Sequence, residues 1–392
     1  MKRVERLREI AEVVRNPSRS IAGWKERSGG KVVGCLACMP PFVPEELIHA
    51  AGMLPVGLWG AEIPVRRADA KLQSFACSVA RTSLEMVLGE AVSVCDGFLF
   101  PSTCDAFQNL SEVWKTSTEK PCFELTFPKQ TARQAARHYL ERELERLKTE
   151  LEAFSGVSIE EEALRKSERL YNENRRLMRT LEARRARDPG FLSATQMTEI
   201  VLASSFLPRE EHSLLFRDLL ESSSGPAPEG KEATRTRQRP VRVFLTGIMA
   251  RPAAVGSVLE ELGVWVVGDD LGLGSLYGSI RIPERQSALR DLAEGYLRYP
   301  PCSTVHPSSP GRAAELIQRA RETGAQGVLI LATKFCEPEF FDYPQLREDL
   351  QKAGLPSVLI ETELGAGASG FVRTRVEAFV ETLREKEKPT GS

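Results

Sequence analysis

Two stretches of the chain alternate short apolar runs with amphipathic segments, and this alternation restricts the fold more than any other feature. From about Lys31 to Pro128 the apolar runs are KVVGCL, LPVGLWG, DGFLFP and PCFELTFP. After Pro240 they are VRVFLTG, VWVVGDD, GVLILAT and SVLIE. Apolar runs that alternate with helical segments are typical of parallel strands covered by helices. Each stretch therefore predicts an α/β domain with a Rossmann-like, doubly wound parallel sheet.

The segment between these stretches has a helical period. Apolar residues recur at spacings of three and four, which marks one buried face of a helix. Two capping boxes are predicted to open further helices, one from Ser158 to Glu161 and one from Ser193 to Gln196. The helical face is formed by Leu140, Leu144, Leu147, Leu151 and Phe154.

The chain has 392 residues, more than the ~250–300 at which a single hydrophobic core stops growing. We predict an N-terminal α/β domain with an N-terminal helix over residues 1–130 and a helical region over 131–221. A linker is predicted over 222–240, where apolar residues are almost absent. A C-terminal α/β domain is predicted over 241–392.

Charge and hydropathy exclude several classes of function. The chain has 53 basic and 54 acidic residues and a formal net charge of -1, so we expect no nucleic-acid partner. No apolar run reaches the ~18–20 residues of a membrane span. The segment from Met1 to Asn16 is a charged amphipathic helix without the apolar region of a secretory signal. We therefore expect a cytoplasmic protein in which disulfides do not persist.

Three cysteines stand where open α/β sheets bind ligands. Gly97–Asp105 and Gly327–Glu337 share a pattern of glycine, apolar strand, threonine, cysteine and acid. This pattern places Cys104 and Cys336 just beyond the carboxyl end of a strand. Cys77 lies near the start of another predicted helix, and a helix N-terminus favours the thiolate that binds metals. A three-cysteine metal site and three buried structural cysteines both remain open on this pattern.

Other motifs carry weaker signals. The Cys35-Leu-Ala-Cys38 motif would suit zinc or a redox dithiol, but no second ligand pair accompanies it, and a buried position is the alternative. Gly272-Leu-Gly274-Ser-Leu-Tyr-Gly278 resembles a dinucleotide loop, although its third glycine comes one residue late. Asp269 and Asp270, at the end of a predicted strand, are interpreted as turn-capping carboxylates, with a catalytic role as the alternative.

The remaining titratable candidates are few. His49 belongs to a predicted helix, and the other three histidines, His138, His212 and His306, are predicted at the surface. Glu45 and Glu46 either lie near the cysteines and orient a proton, or act as ordinary acids at a helix N-terminus.

Several motifs together resemble the 2-hydroxyacyl-CoA dehydratase / benzoyl-CoA reductase family, and the nearest resemblance is to the smaller (beta) subunit of the dehydratases. They occur in the family's order over nearly the whole chain, from about Lys31 to Leu383. The matching segments are Val43–Gly60, Ser74–Cys77, Ser102–Asp105, Val267–Asp270, Lys334–Pro338 and Thr374–Phe379.

The resemblance implies a cofactor and partners. It implies that Cys77, Cys104 and Cys336 hold one [4Fe-4S] cluster, with the fourth iron free of cysteine. It also implies a homologous larger subunit, an ATP-dependent [4Fe-4S] activator protein that supplies a low-potential electron, and a CoA-thioester substrate.

The implied activity is that of a lyase, in which a ketyl radical of a 2-hydroxyacyl-CoA loses its hydroxyl group. The larger subunit would bind the substrate, and this chain would relay the electron. The alternatives are a subunit of an ATP-dependent benzoyl-CoA-type reductase and a double-cubane-cluster electron-transfer protein. The last would require further cysteines, for which Cys35, Cys38 and Cys95 are the candidates. Catalytic residues are not assigned.

Overall fold

The computed structural model describes residues 2–37, 41–89, 91–188, 191–221, 240–248, 253–307, 311–364 and 370–387. The predicted linker, apart from Pro240, lies outside these residues, and so does Cys38.

The N-terminal segment contains four strands, and helices precede or separate them. The predicted N-terminal helix is present. In chain order the elements are α1 (Lys2–Arg15), α2 (Pro17–Ser28), β1 (Val32–Leu36), α3 (Glu45–Ala50), β2 (Leu54–Leu58), a 3-10 turn (Ala68–Ala70), α4 (Ser78–Leu88), β3 (Gly97–Pro101), α5 (Asp105–Lys115) and β4 (Cys122–Leu125).

The middle segment is helical, as its period predicts. Its elements are α6 (Gln134–Ser155), α7 (Glu161–Arg187), α8 (Ala194–Ala203) and α9 (Arg209–Glu221). The predicted apolar face of α6 is buried at Leu140, Leu144, Leu147 and Leu151, which explains its spacing of three and four.

The C-terminal segment returns to strand–helix alternation. Its elements are β5 (Val241–Gly247), α10 (Ala253–Glu261), β6 (Val264–Leu271), α11 (Ser275–Gly278), α12 (Ala288–Leu297), α13 (Arg312–Glu322), β7 (Gly327–Thr333), α14 (Glu337–Lys352), β8 (Ser357–Thr362) and α15 (Gly370–Glu387).

The strands form two four-stranded sheets with the same topology. The first has the order β2-β1-β3-β4 and the second the order β6-β5-β7-β8. All strand pairs are parallel, and the residues of the inner strands β1, β3 and β7 are all buried. Such uniform burial is typical of a parallel sheet covered on both faces. The prediction of two α/β sheets is confirmed.

The two predicted capping boxes have different outcomes. Ser193 accepts a hydrogen bond from the Gln196 amide, and the Gln196 side chain accepts one from the Ser193 amide, so this box is confirmed. The box at Ser158 is wrong, because Glu160 is the residue before the first turn of α7. The Ser158 hydroxyl donates to the Glu160 carboxylate instead, at 2.8 Å.

Helices from different parts of the chain pack together in one apolar cluster, which also includes residues of the first sheet. Apolar residues of α6, α7 and α9 share one buried cluster with residues of α3 and α12. The bounds of the three predicted domains therefore stay a prediction. None of the helices within the described ranges is both long and apolar enough to cross a membrane.

Candidate functional site

Each of the three cysteines singled out in the sequence is the residue that immediately precedes a helix. Cys77 is the N-cap of α4, Cys104 of α5 and Cys336 of α14. Cys104 and Cys336 each lie three residues beyond the last residue of a strand, Pro101 of β3 and Thr333 of β7. These two strands hold equivalent positions in their sheets, so the shared sequence pattern corresponds to a shared place in the fold.

The three cysteines line one cavity of about 300 Å³. Residues that follow strands of both sheets contribute to its wall, so the cavity lies between the two α/β segments. The other lining residues are Leu72, Gln73, Phe75, Ala76, Ala80, Thr103, Asp105, Ala106, Phe107, Asn109, Ile248, Thr304, Phe335, Glu337 and Pro338.

Burial disfavours the charged thiolate form of these three cysteines. Burial raises the pKa of the Cys77 thiol to about 11, and burial is also the largest cause of the raised pKa values of Cys104 and Cys336. Hydrogen bonds from the first backbone N–H groups of the helices act in the opposite direction. The expected preference for the thiolate at a helix N-terminus is thus present but outweighed by the loss of water.

The donor set agrees with an iron–sulfur cluster. The cavity offers three sulfur atoms, and no histidine is among the described residues that line it. Thiolates are the usual protein ligands of such clusters. Within the described ranges, no group of three or more His, Cys, Asp or Glu side chains is arranged to hold a single metal ion. A cluster needs a wider arrangement than one ion, because each thiolate binds a different iron.

The backbone beside two of the cysteines has unusual features: a left-handed residue before Cys336 and a lysine that holds the turn before Cys104. Phe335, directly before Cys336, has a φ of 63°, a left-handed conformation that is strained for a residue with a side chain. The Lys129 ammonium donates to the carbonyl oxygens of Ser102 and Thr103, at 2.8 and 2.6 Å. These carbonyls immediately precede Cys104, so Lys129 holds the turn that carries this cysteine.

Glu339 connects three walls of the cavity. It is buried in the first turn of α14. One of its carboxylate oxygens accepts hydrogen bonds from the Ile248 amide at 3.1 Å and from the Ser303 hydroxyl at 2.8 Å. The other lies 3.2 Å from a guanidinium nitrogen of Arg312. The carboxylate thereby fixes the helix of Cys336 against the end of β5 and the turn that contains Thr304.

A second, more open groove of about 410 Å³ adjoins this cavity. The two share Thr103, Cys104, Asp105, Thr304, Glu337 and Pro338 as lining residues. Lys129 and His306 line only the groove. The groove therefore leads from the Cys104 side of the cavity toward solvent.

Several other sequence candidates lie elsewhere. Cys35 and Cys95 are buried in apolar clusters, and neither lines the cavity. Glu45 and Glu46 are buried and paired with arginines, so they do not face the cysteines. Asp269 accepts hydrogen bonds from the amides of Leu271 and Ser275, which confirms it as a turn-capping carboxylate.

Sequence reasoning missed the residues that support the cysteines. Glu339 stands in the motif Cys336-Glu-Pro-Glu339, a recognisable helix start, but its partners lie 27 to 91 positions away. Nothing local to Lys129 indicates that it holds the turn before Cys104. Phe335 carries no glycine-like signal for its left-handed conformation.

Comparison with known proteins gives matches over most of the chain. The profile of the family described as "2-hydroxyglutaryl-CoA dehydratase, D-component" matches residues 40–383. The (R)-phenyllactyl-CoA dehydratase beta subunit of Clostridium sporogenes is 31% identical over 376 residues, which cover 96% of this chain and 98% of that protein. The beta subunit of the lactoyl-CoA dehydratase of Anaerotignum propionicum is 31% identical over 389 residues, 98% of this chain and 100% of that protein. One of the subunits of the benzoyl-CoA reductase of Thauera aromatica is 27% identical over 368 residues, 92% of this chain and 93% of that protein.

Proposed function

The chain belongs to the 2-hydroxyglutaryl-CoA dehydratase D-component family, and from this membership we propose that it is the iron–sulfur, smaller subunit of a cytoplasmic 2-hydroxyacyl-CoA dehydratase. Two relatives at 31% identity are beta subunits of acyl-CoA dehydratases and match it over nearly their whole length. They support an enzyme subunit of the lyase class that works with a partner subunit. We propose that this partner is a larger, homologous subunit.

The observation that carries the proposal is the meeting of Cys77, Cys104 and Cys336 at one cavity. They come from three separate turns, two of them at equivalent strand ends of the two sheets. Three purely structural cysteines have no physical reason to share one cavity, each at the N-cap of a helix. We propose that these three residues hold a [4Fe-4S] cluster whose fourth iron has no cysteine ligand.

A cluster bound there would supply electrons one at a time at low potential, which is the chemistry needed to convert a CoA thioester to a ketyl radical that expels its 2-hydroxyl group. The chain's own residues prepare this site. The apolar wall around Phe75, Phe107 and Ile248 limits the access of water to the thiols. Lys129 and Glu339 hold the turns that carry Cys104 and Cys336. Because the thiols are protonated when free, binding of the cluster must displace three protons.

We propose that the larger partner subunit binds the substrate, and that this chain relays the electron that an ATP-dependent [4Fe-4S] activator protein delivers. In support, the three cysteines line a cavity, and the groove that adjoins it is more open to solvent. A groove that leads away from the cysteines is compatible with a partner that approaches from that side.

The first test measures iron and acid-labile sulfide in the chain purified without oxygen. We expect about four irons per chain. Cys77→Ala, Cys104→Ala and Cys336→Ala should each lose iron and the brown colour. Cys122→Ala is the matched control, because Cys122 is half-buried on β4 and does not line the cavity, so this variant should keep its iron.

A folded, colourless wild-type protein after anaerobic reconstitution would contradict the proposal. Iron retained by all three cavity variants would also contradict it. Near eight irons per chain, lost on substitution of Cys35 or Cys95, would instead support the double-cubane interpretation.

A subunit of a benzoyl-CoA-type reductase is the second candidate, and the 27% identity to the benzoyl-CoA reductase relative favours it. The two candidates differ in the substrate of the assembled complex. With partner, activator and ATP, a dehydratase converts a 2-hydroxyacyl-CoA to an enoyl-CoA, whereas a reductase consumes benzoyl-CoA. Product analysis by mass spectrometry separates these reactions.

A further inference from the structure

A second cavity, of about 280 Å³, lies between α7, β6 and the end of α13. It shares no lining residue with the cysteine cavity or its groove. Three of its lining side chains are arginines: Arg179, Arg185 and Arg319. We refer to it as the arginine pocket.

Two of these arginines, Arg179 and Arg319, are held by hydrogen bonds to uncharged groups. Arg179 donates to the carbonyl oxygen of Gly278 at 2.5 Å. Arg319 donates to the Asp269 carbonyl at 2.7 Å and to the Ser275 hydroxyl. Among the described residues, neither guanidinium has a carboxylate within ion-pair distance. Hydrogen bonds to backbone carbonyls orient the two guanidinium groups, and such acceptors carry no net negative charge.

Three acids line the arginine pocket: Glu182, Asp269 and Glu322. Glu322 is exposed to water, and its carboxylate accepts a hydrogen bond from the Gln318 side chain at 2.9 Å. Asp269 caps the turn after β6 through the Leu271 and Ser275 amides, and it pairs with Arg185 at 3.5 Å. Burial raises the pKa of Glu182 to about 8, which favours its uncharged form. Its Oε1 atom is shielded from solvent and has no hydrogen-bond partner.

We propose that the arginine pocket binds a phosphate group. Planar guanidinium groups match the oxygens of phosphate in pairs of hydrogen bonds. Arg179 and Arg319 supply these donors. Arg319 also lies over the Phe244 ring, 5.7 Å from its centroid, which fixes the plane of its donors. The phosphate comes either from free inorganic phosphate or from a phosphorylated carrier such as CoA.

The proposal does not rest on the cluster, because the arginine pocket shares no residue with the cysteine cavity.

The test is isothermal titration of the full chain with inorganic phosphate and, separately, with CoA, against sodium chloride at equal ionic strength. We expect the wild type to bind phosphate and Arg179→Gln to bind at least about tenfold more weakly. Arg176→Gln, on an exposed side of the same helix and ion-paired with Glu173, should bind like the wild type.

A second pair of variants avoids any damage to the fold. Ala183 is exposed and lines the arginine pocket, so Ala183→Glu adds a repelling charge at little cost in stability. Ala183→Gln adds a side chain of the same size without charge. We expect the glutamate variant to bind much more weakly than the glutamine variant.

Tighter, Arg179-dependent binding of CoA would identify the phosphate of a carrier as the ligand, and binding of phosphate alone would identify the free anion. The proposal fails if neither ligand binds at millimolar concentration. It also fails if the Ala183→Glu and Ala183→Gln variants bind equally.

Discussion

His212 illustrates how strongly burial acts on a single side chain. The prediction that it lies at the surface with His138 and His306 is wrong, since only the latter two are exposed. The ring is buried on α9, where Nδ1 lies 3.1 Å from the Asn174 amide nitrogen and Nε2 lies 2.9 Å from the Ile200 carbonyl. These contacts satisfy a neutral ring. Burial, together with the nearby Arg209, lowers the pKa of His212 to about 3.

This shift predicts a pH-dependent loss of stability. Between pH 6.5 and about 3, His212 binds a proton in the unfolded chain but not in the folded one. The free energy of unfolding therefore falls as the pH drops below about 6.5, by about 1.4 kcal/mol per pH unit from this group. His212→Gln should remove this contribution. Urea unfolding across the range from mildly alkaline to mildly acidic pH measures it as the difference between variant and wild type.

The exposed His138 provides the control, since His138→Gln should keep the pH dependence of the wild type. A His212→Gln variant with the wild-type slope at mildly acidic pH would disprove the assignment of this slope to His212.

Among the secondary-structure elements, α14 combines two functions in its first turn. Its N-cap, Cys336, lines the cavity. Glu339, three residues later, is buried and joins the helix to Ile248, Ser303 and Arg312. Residues three positions apart lie on nearly the same side of a helix. The turn can therefore present the thiol to the cavity and anchor itself directly behind it.

Glu339→Ala should lower the free energy of unfolding by about 3 kcal/mol. The change leaves the buried Ile248 amide and Ser303 hydroxyl without an acceptor, and it removes one carboxylate from the buried Arg312. Denaturant unfolding measures the loss. Glu337→Ala, in the same turn but exposed, should change stability by less than about 0.5 kcal/mol. Equal effects of the two substitutions would contradict the anchoring role.

In the molecule as a whole, two acids connect distant parts of the chain. Glu45 and Glu46 open α3, close to the first sheet. Glu45 accepts a hydrogen bond from Arg209 of α9 at 2.5 Å, and Glu46 accepts one from Arg175 of α7 at 2.5 Å. Hydroxyl groups of the C-terminal segment complete the network, from Tyr277 to Glu45 and from Tyr296 to Glu46.

Glu46→Ala should lower the free energy of unfolding by about 3–5 kcal/mol, because it leaves the fully buried Arg175 without its counter-charge. Among the described residues, two further nitrogens of Arg175 are buried without a hydrogen-bond partner, so the Glu46 carboxylate is the group that the guanidinium depends on. Glu173→Ala removes a surface pair with Arg176 and should cost at most ~1 kcal/mol. Chemical denaturation of both variants measures their free energies of unfolding. Equal losses would contradict a stabilising role of the buried network.

The two sheets and the places of the cysteines follow from local patterns. Strand–helix alternation depends on residues within a few positions of each other, and so does the start of α5 after Cys104. The wrong capping box at Ser158 shows the limit of such patterns. The N-cap of α7 is Glu160, two residues after Ser158, so the Ser158 side chain does not cap the helix. The partners of Glu339 and of Glu46 could not be predicted, because they come from distant parts of the chain.

Local patterns were enough to establish the class of fold, the repeated strand–turn–cysteine motif and the family. These properties depend on apolar periodicity and on short motifs that chain neighbours specify. Packing was needed to establish that three cysteines from separate turns share one cavity and that burial raises the pKa values of their thiols. It was also needed to establish that two arginines of a second pocket form no ion pair within the described residues. Those properties depend on desolvation and on contacts across the chain, which arise only when the two sheets and the helices between them pack together.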